Sequence, residues 1–165
     1  MIPQKAGLPD NENMRKAPSL AIRQVRTINA VATHASLAHA CEHLNTSQSS
    51  LSRYIAEAER ALGQRLFQRG WTGMEPTSQG EVVIAHCRRM VASIETAQSE
   101  LRASGARVPD LSHYLTWEML EAADAVRASG SVSAAAEYLG QSQPNLSRVL
   151  TKVSAAIGRQ PFRRT

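Results

Sequence analysis

The sequence is poor in aromatic residues, which make up 4% of its 165 residues, although 42% of the residues are hydrophobic. A core of that composition is built from Leu, Ile, Val and Ala, as in small helical bundles, which disfavours a β-sandwich. No apolar run approaches the roughly 18 residues that cross a bilayer. The polar N-terminal segment, which contains Pro3 and Pro9, also lacks the apolar centre of a signal peptide. We therefore expect a helical cytoplasmic protein with no membrane partner.

Cysteine is equally scarce, because the sequence contains only Cys41 and Cys87. The two residues lie in separate helical patterns, and a chain without an export signal normally keeps its thiols reduced. We expect no disulfide. Cys87 is interpreted as a small buried apolar residue rather than as a cross-link between chains or a sensor of oxidants.

Acidic residues are absent from the last 25 positions, residues 141–165. That segment carries five positive charges, and the whole chain has a net charge of +5. This distribution favours an anionic partner such as nucleic acid. The five basic residues are Arg148, Lys152, Arg159, Arg163 and Arg164.

The sequence also lacks the groupings that catalysis requires. It shows no Ser/His/Asp set, no paired carboxylates in a predicted cleft and no glycine-rich phosphate loop, so we predict neither an enzyme nor a cofactor. His39 and His43 lie four residues apart and would share one face of a helix, as metal ligands do. Because Ala134 and Tyr138 occupy the corresponding places in a second copy of the same segment, we predict no metal site there.

An internal repeat is the dominant feature of the chain. Residues 20–70 align without a gap on residues 115–165, at a constant offset of 95 positions. Such self-similarity predicts a duplicated structural module. The identical residues, each matched 95 positions later, are Leu20, Ala30, Val31, Ser36, Ala40, Glu42, Leu44, Ser47, Gln48, Leu51, Ser52, Arg53, Ala61, Gly63, Phe67 and Arg69.

Between the copies, residues 78–104 show a helical pattern that begins after Thr77, a good N-cap. One face carries a heptad stripe, which predicts pairing with a second helix in a homodimer, although packing against the chain's own domains is the alternative. The members of this stripe are Val83, Cys87, Met90, Ile94, Ala97 and Leu101.

Each copy has the pattern of a helix-turn-helix. A helix is followed by a shorter one capped by Ser36, and then by Asn45 in the first copy and Gly140 in the second. Asn and Gly tolerate the left-handed conformation that closes a helix, so these positions predict a tight turn. Ser47 and Ser142 are predicted to cap the next helix. That helix has an apolar stripe on one face and short polar groups with an arginine on the other, which suits insertion into a DNA major groove.

A β-hairpin is predicted after the first of these helices, at residues 66–76. Two short extended stretches flank a Gly70-Trp71-Thr72-Gly73 turn, as in the wing of a winged helix. Arg69 and Trp71 are its candidate DNA contacts. For Trp71, packing over its own domain is the alternative.

Residues 20–80 resemble the N-terminal domain of the LysR-type transcriptional regulators. The similar motifs are Ser36, Ala40 and Leu44, followed by Ser47-Gln48-Ser49-Ser50-Leu51-Ser52-Arg53, Leu62-Gly63-Gln64-Arg65-Leu66-Phe67-Gln68-Arg69 and Thr77-Ser78-Gln79-Gly80. The second copy matches at Ser142-Gln143-Pro144-Asn145-Leu146-Ser147-Arg148 and at Phe162-Arg163-Arg164. The resemblance implies a winged helix-turn-helix followed by a dimerising linker helix.

The chain departs from that family pattern after the linker helix. The family normally carries a large effector-binding domain there, whereas this chain has a second module, with Pro161 in place of the leucine before the wing. The sequence ends at Thr165, where a second wing would begin, which suggests a fragment of a longer protein. We expect no small-molecule effector to bind to this segment.

The expected architecture is mainly α, with two winged helix-turn-helix modules joined by a long linker and dimerisation helix. Its parts are a flexible tail (1–18), the first module (19–77), the linker helix (78–104), a linker (105–114) and a second module with a truncated wing (115–165). The predicted DNA contacts are Ser47, Gln48, Ser49, Ser52, Arg53, Arg69, Trp71, Ser142, Gln143, Pro144, Ser147, Arg148 and Arg164.

The expected function is sequence-specific regulation of transcription at the nucleoid, by a dimer bound to double-stranded promoter DNA. Two alternatives remain open. In the first, one copy, with the second favoured, is a protein-interaction or oligomerisation module; in the other, the whole chain is an architectural DNA-binding protein with little sequence preference.

Overall fold

The computed structural model describes residues 20–71 and 73–162. The predicted tail at residues 1–18 lies outside the described residues. Within them the chain forms eight helices and one two-stranded antiparallel hairpin. In chain order these are α1 (Ile22–His34), α2 (Leu37–Leu44), α3 (Gln48–Leu62), β1 (Phe67–Gly70), β2 (Gly73–Pro76), α4 (Ser78–Ala103), α5 (Leu111–Tyr114), α6 (Trp117–Ser129), α7 (Val132–Tyr138) and α8 (Gln143–Ile157).

Helices α1, α2 and α3 form a helix-turn-helix, as predicted. The Ser36 side chain caps α2 by accepting a hydrogen bond from the His39 amide at 3.4 Å. Asn45 ends α2 in the left-handed conformation, with φ of 48°, and the Ser47 hydroxyl then accepts the Ser50 amide at 3.2 Å at the start of α3. These caps satisfy backbone groups that the tight turn would otherwise leave unpaired.

The second set of helices has matching boundaries. Helix α6 begins and ends 95 positions after α1, and α8 begins and ends 95 positions after α3. Gly140 has φ of 63° at the position that corresponds to Asn45. The Ser142 hydroxyl accepts the Asn145 amide at 3.4 Å. This bond corresponds to the one between the Ser47 hydroxyl and the Ser50 amide at the start of α3.

Two separate hydrophobic cores hold these helices together. The first contains Ile28, Leu51 and Phe67, each at most 1% exposed, and the second is built around Leu146, which has no exposed surface. Ala40 and Ala135 are fully buried where the short helices cross their neighbours. Small side chains at these crossings allow the helix axes to approach closely.

Helix α4 is shared between the two cores, so most of the heptad stripe packs within the chain. Cys87 is fully buried in the first core, and Val83 and Met90 pack against the same core. Ile94 and Leu101 pack against the second core. Cys87 leaves no exposed surface to bury against a second chain, so its dimer contact stays a prediction that this packing does not support.

Ala97 is the one member of the stripe that is solvent-exposed. Burial of one methyl group contributes only about 1 kcal/mol. The sequence left open that the stripe packs against the chain's own domains. That alternative describes the other members of the stripe better than pairing with a second helix does.

The predicted linker at residues 105–114 is more ordered than its sequence indicated. Leu111 begins the short helix α5, capped by the side chain of Asp110, which accepts the Ser112 amide at 3.1 Å. Val108 and Leu111 are both buried in the second core. Two isolated apolar residues beside proline and glycine give no periodic signal, which is why the sequence did not reveal this contribution.

The burial of Cys87 leads to a simple chemical prediction. Burial raises the pKa of the Cys87 thiol to about 11, so at neutral pH it is protonated and sheltered from reagents. We expect a Cys41→Ser variant, which retains Cys87 alone, to resist a thiol-labelling reagent until denaturant unfolds it, as followed by mass spectrometry. Wild-type protein labelled in denaturant provides the reference for full reaction. Rapid labelling of the native variant would contradict the burial of this side chain.

Across the part of the chain that the structure describes, every helix is too short or too polar to span a membrane.

Candidate nucleic-acid interface

Helix α3 has a buried face and an exposed polar face. Leu51 and Ala58 have no exposed surface and Ile55 is 6% exposed, so this face is held firmly by the first core. The opposite face is solvent-exposed at every position predicted to contact DNA, which are Ser47, Gln48, Ser49, Ser52 and Arg53. The first turn of α3 contains no acidic residue. A rigid core thus presents hydrogen-bonding groups and one cation at the N-terminal end of a helix.

Arg53 has an ordered environment on this exposed face. Its guanidinium carbon lies 5.3 Å from the ring centroid of Tyr54, and its Nε lies 3.9 Å from Oε1 of Glu57. Arg23, on α1, also places its guanidinium carbon near the Tyr54 ring, 5.5 Å from the centroid. The Arg53 side chain remains 63% exposed, so it is oriented by its neighbours but still available to a ligand.

Helix α8 repeats the arrangement with a more positive surface. Leu146 and Val153 are buried, whereas the predicted contact residues are exposed: Ser142, Gln143, Pro144, Ser147 and Arg148. Pro144 lies in the first turn, where its missing amide hydrogen is not needed.

Helices α3 and α8, the two helices predicted to contact DNA, differ in charge. Helix α3 carries Arg53 and Arg60 together with Glu57 and Glu59, so its charges cancel. Helix α8 carries Arg148 and Lys152 and no acidic residue. Lys152 corresponds to Glu57 at the offset of 95, so a second cation stands where Arg53 has its ion-pair partner.

The predicted wing is present. Strands β1 and β2 pair antiparallel, with Arg69 opposite Met74 and Gly70 opposite Gly73. The Met74 amide donates to the Ala35 carbonyl at 3.0 Å, which attaches the hairpin to the turn between α1 and α2.

Arg69 and Trp71 line a groove between the wing and this turn. Trp71 has a relative exposure of 101%, so the alternative in which it covers its own domain is wrong. A fully exposed indole costs free energy in water and is available to a partner.

The base of the wing depends on Glu59, which sequence reasoning did not identify. Its Oε1 accepts hydrogen bonds from the amides of Leu66 at 2.7 Å and Phe67 at 3.3 Å, and its Oε2 lies 3.2 Å from Nε of Arg65. Thr77 closes the other side of the hairpin, where its amide donates to the Leu66 carbonyl at 3.0 Å. A glutamate in a helical pattern normally lies on a solvated surface. The position of Glu59 in the sequence therefore did not indicate that it would accept amides at the base of the wing.

The corresponding region of the second copy is organised differently. Ser154 takes the place of Glu59, and its hydroxyl donates to the Leu150 carbonyl within α8. A Cβ atom on Gly158 would lie 2.7 Å from the Arg107 carbonyl oxygen, so the linker backbone passes closely over the end of α8. Arg164, another predicted contact, lies outside the described residues.

Comparison with known proteins identifies relatives of this chain. The family model described as "Bacterial regulatory helix-turn-helix protein, lysR family" matches residues 22–81 and 117–165. YdcI of Escherichia coli K12, named as an uncharacterized HTH-type transcriptional regulator, is 39% identical over 82 residues, covering 50% of this chain and 27% of YdcI.

A second relative is the SDS degradation transcriptional activation protein of a Pseudomonas species, 38% identical over 88 residues, which cover 52% of this chain and 29% of that protein. Among solved structures, a complex of the CbnR DNA-binding domain with DNA is 28% identical with a TM-score of 0.44, covering 51% of this chain and 97% of that one.

The chain thus spans about a quarter of the length of these two curated relatives. The two segments matched by the family model together make up more than half of the 165 residues. The chain belongs to the lysR family of bacterial regulatory helix-turn-helix proteins.

Proposed function

We propose that this chain is a sequence-specific DNA-binding regulator of transcription, in which α3 enters the major groove of promoter DNA. The single observation that carries the proposal is the division of α3 into a face buried in the first core and an opposite face with every predicted contact exposed. A helix held in this way presents its side chains to base edges without a large loss of backbone entropy. The names of its relatives as transcriptional regulators support the same function.

The exposed groups of α3 have the chemistry that base recognition requires. Gln48 and Arg53 can each make paired hydrogen bonds to one base, the amide with adenine and the guanidinium with guanine. Ser47, Ser49 and Ser52 supply hydroxyl groups for bases or phosphates. The partial positive charge that the helix dipole places at the N-terminus of α3 adds attraction for a phosphate.

The wing supplies a second contact with the duplex in this proposal. Arg69 lies at the exposed edge of β1 and is suited to a backbone phosphate, where a cation adds affinity without sequence preference. Trp71, fully exposed at the tip of the hairpin, would pack its ring against sugars or the minor-groove wall.

We further propose that the chain arose as a tandem duplication and that its second module also binds DNA, through Ser142, Gln143, Pro144, Ser147 and Arg148. Matching helix boundaries at an offset of 95 and the absence of acidic residues from α8 support this proposal. Arg164 stays a predicted contact of the same surface. Binding to DNA would bring the protein to the nucleoid.

Dimerisation through α4 stays a separate prediction from the sequence. Val83, Met90, Ile94 and Leu101 are partly buried against the chain's own cores, so a paired helix could use only the surface that these residues still expose. Val82, also on α4, is 62% exposed and offers further apolar surface.

The proposal is tested by selecting bound duplexes from a random DNA pool and measuring the affinity of variants across a salt series. We expect Arg53→Ala to weaken binding of the selected duplex about 10-fold or more and to relax the base preference, since a lost bidentate contact costs about 1–3 kcal/mol. Arg148→Ala is expected to weaken binding and to reduce the dependence of log K on log salt by about one.

Arg127→Ala is the matched control, because it removes the same charge from an exposed site on α6, where Arg127 pairs with Asp124 at 2.7 Å and is not a predicted DNA contact. If Arg53→Ala behaves like this control, α3 is not the DNA-binding helix. An effect of Arg53→Ala without one of Arg148→Ala would assign the second module to protein interaction instead. Equal affinity for random and selected duplexes would indicate an architectural protein.

A further inference from the structure

The two modules make specific contacts with each other as well as with α4. We call the group formed by Leu20, Arg26, Asp110, His113 and Trp117 the junction. Leu20 and Arg26 belong to the first module, whereas the other three residues lie at or just before the start of the second module. None of the junction residues belongs to the predicted DNA-contacting set.

An arginine on α1 forms the polar half of the junction. The Arg26 side chain is only 14% exposed, and its Nη2 lies 3.5 Å from Oδ2 of Asp110 and 3.1 Å from Nε2 of His113. Burial acts to raise the pKa of Asp110, but hydrogen bonds from Ser112 and the nearby Arg26 and His113 lower it overall, so the carboxylate is charged at neutral pH. A largely buried cation thus depends on a partner supplied by the linker.

A tryptophan forms the apolar half of the junction. Trp117 is the first residue of α6, in the second module, yet its side chain packs against the hydrophobic core of the first module. Its indole nitrogen donates a hydrogen bond to the carbonyl of Leu20, two residues before the start of α1. A large aromatic anchor with a satisfied polar group is typical of a specific interface.

The linker between the modules is fixed to α4 as well. Gln98 accepts the amide of Leu111 at 2.7 Å, and the Arg102 guanidinium donates to the Val108 carbonyl at 3.2 and 3.1 Å. Arg159, just after α8, donates to the Ser104 hydroxyl at 3.0 Å. The segment 104–111 is therefore held at Ser104, Val108 and Leu111 by the elements on either side of it.

From these contacts we infer that a single chain recognises a composite DNA site of two half-sites at one fixed spacing, with the junction setting that spacing. This inference rests on the proposed function, since it assumes that α3 and α8 both contact DNA. Arg26 and Trp117 are positioning residues in this arrangement: they touch no DNA but fix one recognition helix relative to the other. The second module then acts in the same chain as a second subunit does in a dimer.

Rigidity has a measurable consequence for specificity. Two modules on a flexible tether bind half-sites at many spacings, because the tether adjusts its length. In B-DNA each added base pair turns the next half-site by about 34°, since one turn takes about 10.5 base pairs. A fixed pair of recognition helices therefore loses its second contact when about five base pairs, half a turn, are inserted.

The experiment uses the full chain and a duplex recovered from a random pool. Hydroxyl-radical footprinting is expected to show two protected blocks, and mass photometry to show one chain per duplex. Insertion of one to ten base pairs between the blocks should lower the affinity about tenfold or more near half a turn. The double variant Arg26→Ala/Trp117→Ala should bind all spacings within about threefold of one another while retaining its affinity for one block alone.

Matched controls keep the outcomes distinct. Tyr114→Ala/Arg127→Ala removes an aromatic ring and an arginine from exposed positions outside the junction, and it should keep the spacing preference of the wild type. Asp110→Asn breaks the charge contact at nearly constant size, and it replaces the double variant if circular dichroism shows that variant unfolded. Asp110→Asn should weaken the spacing preference.

A single protected block, two chains per duplex at every spacing, or equal affinity at all spacings in the wild type would each overturn this inference. So would a spacing preference that survives the junction variants. None of these results disproves DNA binding by α3, which fails only if Arg53→Ala leaves the binding of a single block unchanged.

Discussion

Replacement of Gly80 by alanine is expected to lower the free energy of unfolding of the first module by about 3 kcal/mol, the upper part of the usual range for overpacking. Gly80 lies in the first turn of α4 and is buried. A Cβ atom built on Gly80 would overlap the carbonyl oxygen of Leu66 and lie 2.8 Å from its carbonyl carbon. Both atoms are backbone, so no side-chain rotation relieves the overlap and α4 must move away from the wing.

The expected sign makes this substitution informative. In an unobstructed helix, alanine is more stable than glycine by about 0.5–1 kcal/mol. A loss of stability therefore reports the close contact between α4 and the residue before β1. Gln79→Ala is the matched control, since Gln79 is exposed in the same turn and its replacement should change stability by less than about 0.5 kcal/mol.

Urea unfolding followed by circular dichroism provides the measurement, with the midpoint compared among the wild type, Gly80→Ala and Gln79→Ala. Gly80→Ala should also weaken DNA binding, since Arg69 is carried by the strand that begins beside Leu66. An unchanged or higher midpoint for Gly80→Ala would show that α4 and the wing do not pack as described.

Much of the local structure was predictable because it depends on neighbouring residues. The structure shows a helix at Ser78–Ala103. Its start was predicted from Thr77 as N-cap, and its end from the Ser104-Gly105 pair. Asn45 and Gly140 marked the two tight turns, since few other residues adopt the left-handed conformation that closes a helix. The exposure of the predicted α3 contacts followed from the helical period, which separates buried from exposed faces.

The choice of partners for each surface was not predictable from the same signals. The heptad stripe of α4 indicated a partner helix, but a stripe specifies only that a face is apolar, not what covers it. Cys87 and Leu101 lie on this one stripe and pack against different cores of the same chain. Trp117 likewise occupies a position in the second repeat that gave no indication of contact with the first core, because contacts across 97 positions leave no periodic pattern.

A second large effect is expected at the other side of the wing, where Glu59→Ala should lower the free energy of unfolding by about 3 kcal/mol. The Glu59 side chain is 15% exposed and accepts the amides of Leu66 and Phe67, two residues that are at most 1% exposed. Its removal leaves both amides without their acceptor in a site that water reaches poorly. Each such group costs about 1–3 kcal/mol when buried without a partner.

Two further variants separate the hydrogen bonds from the charge. Glu59→Gln keeps an acceptor oxygen of the same reach but loses the charge and its contact with Arg65, so it should cost only about 1 kcal/mol. Ser154→Ala alters the corresponding position of α8, where the hydroxyl bonds only within its own helix, and it should stay within about 0.5 kcal/mol of the wild type. If Glu59→Ala and Glu59→Gln are equally mild, the carboxylate does not hold β1 in place. If Glu59→Ala is far the more damaging, the wing that carries Arg69 and Trp71 is anchored by an acceptor that the second copy lacks.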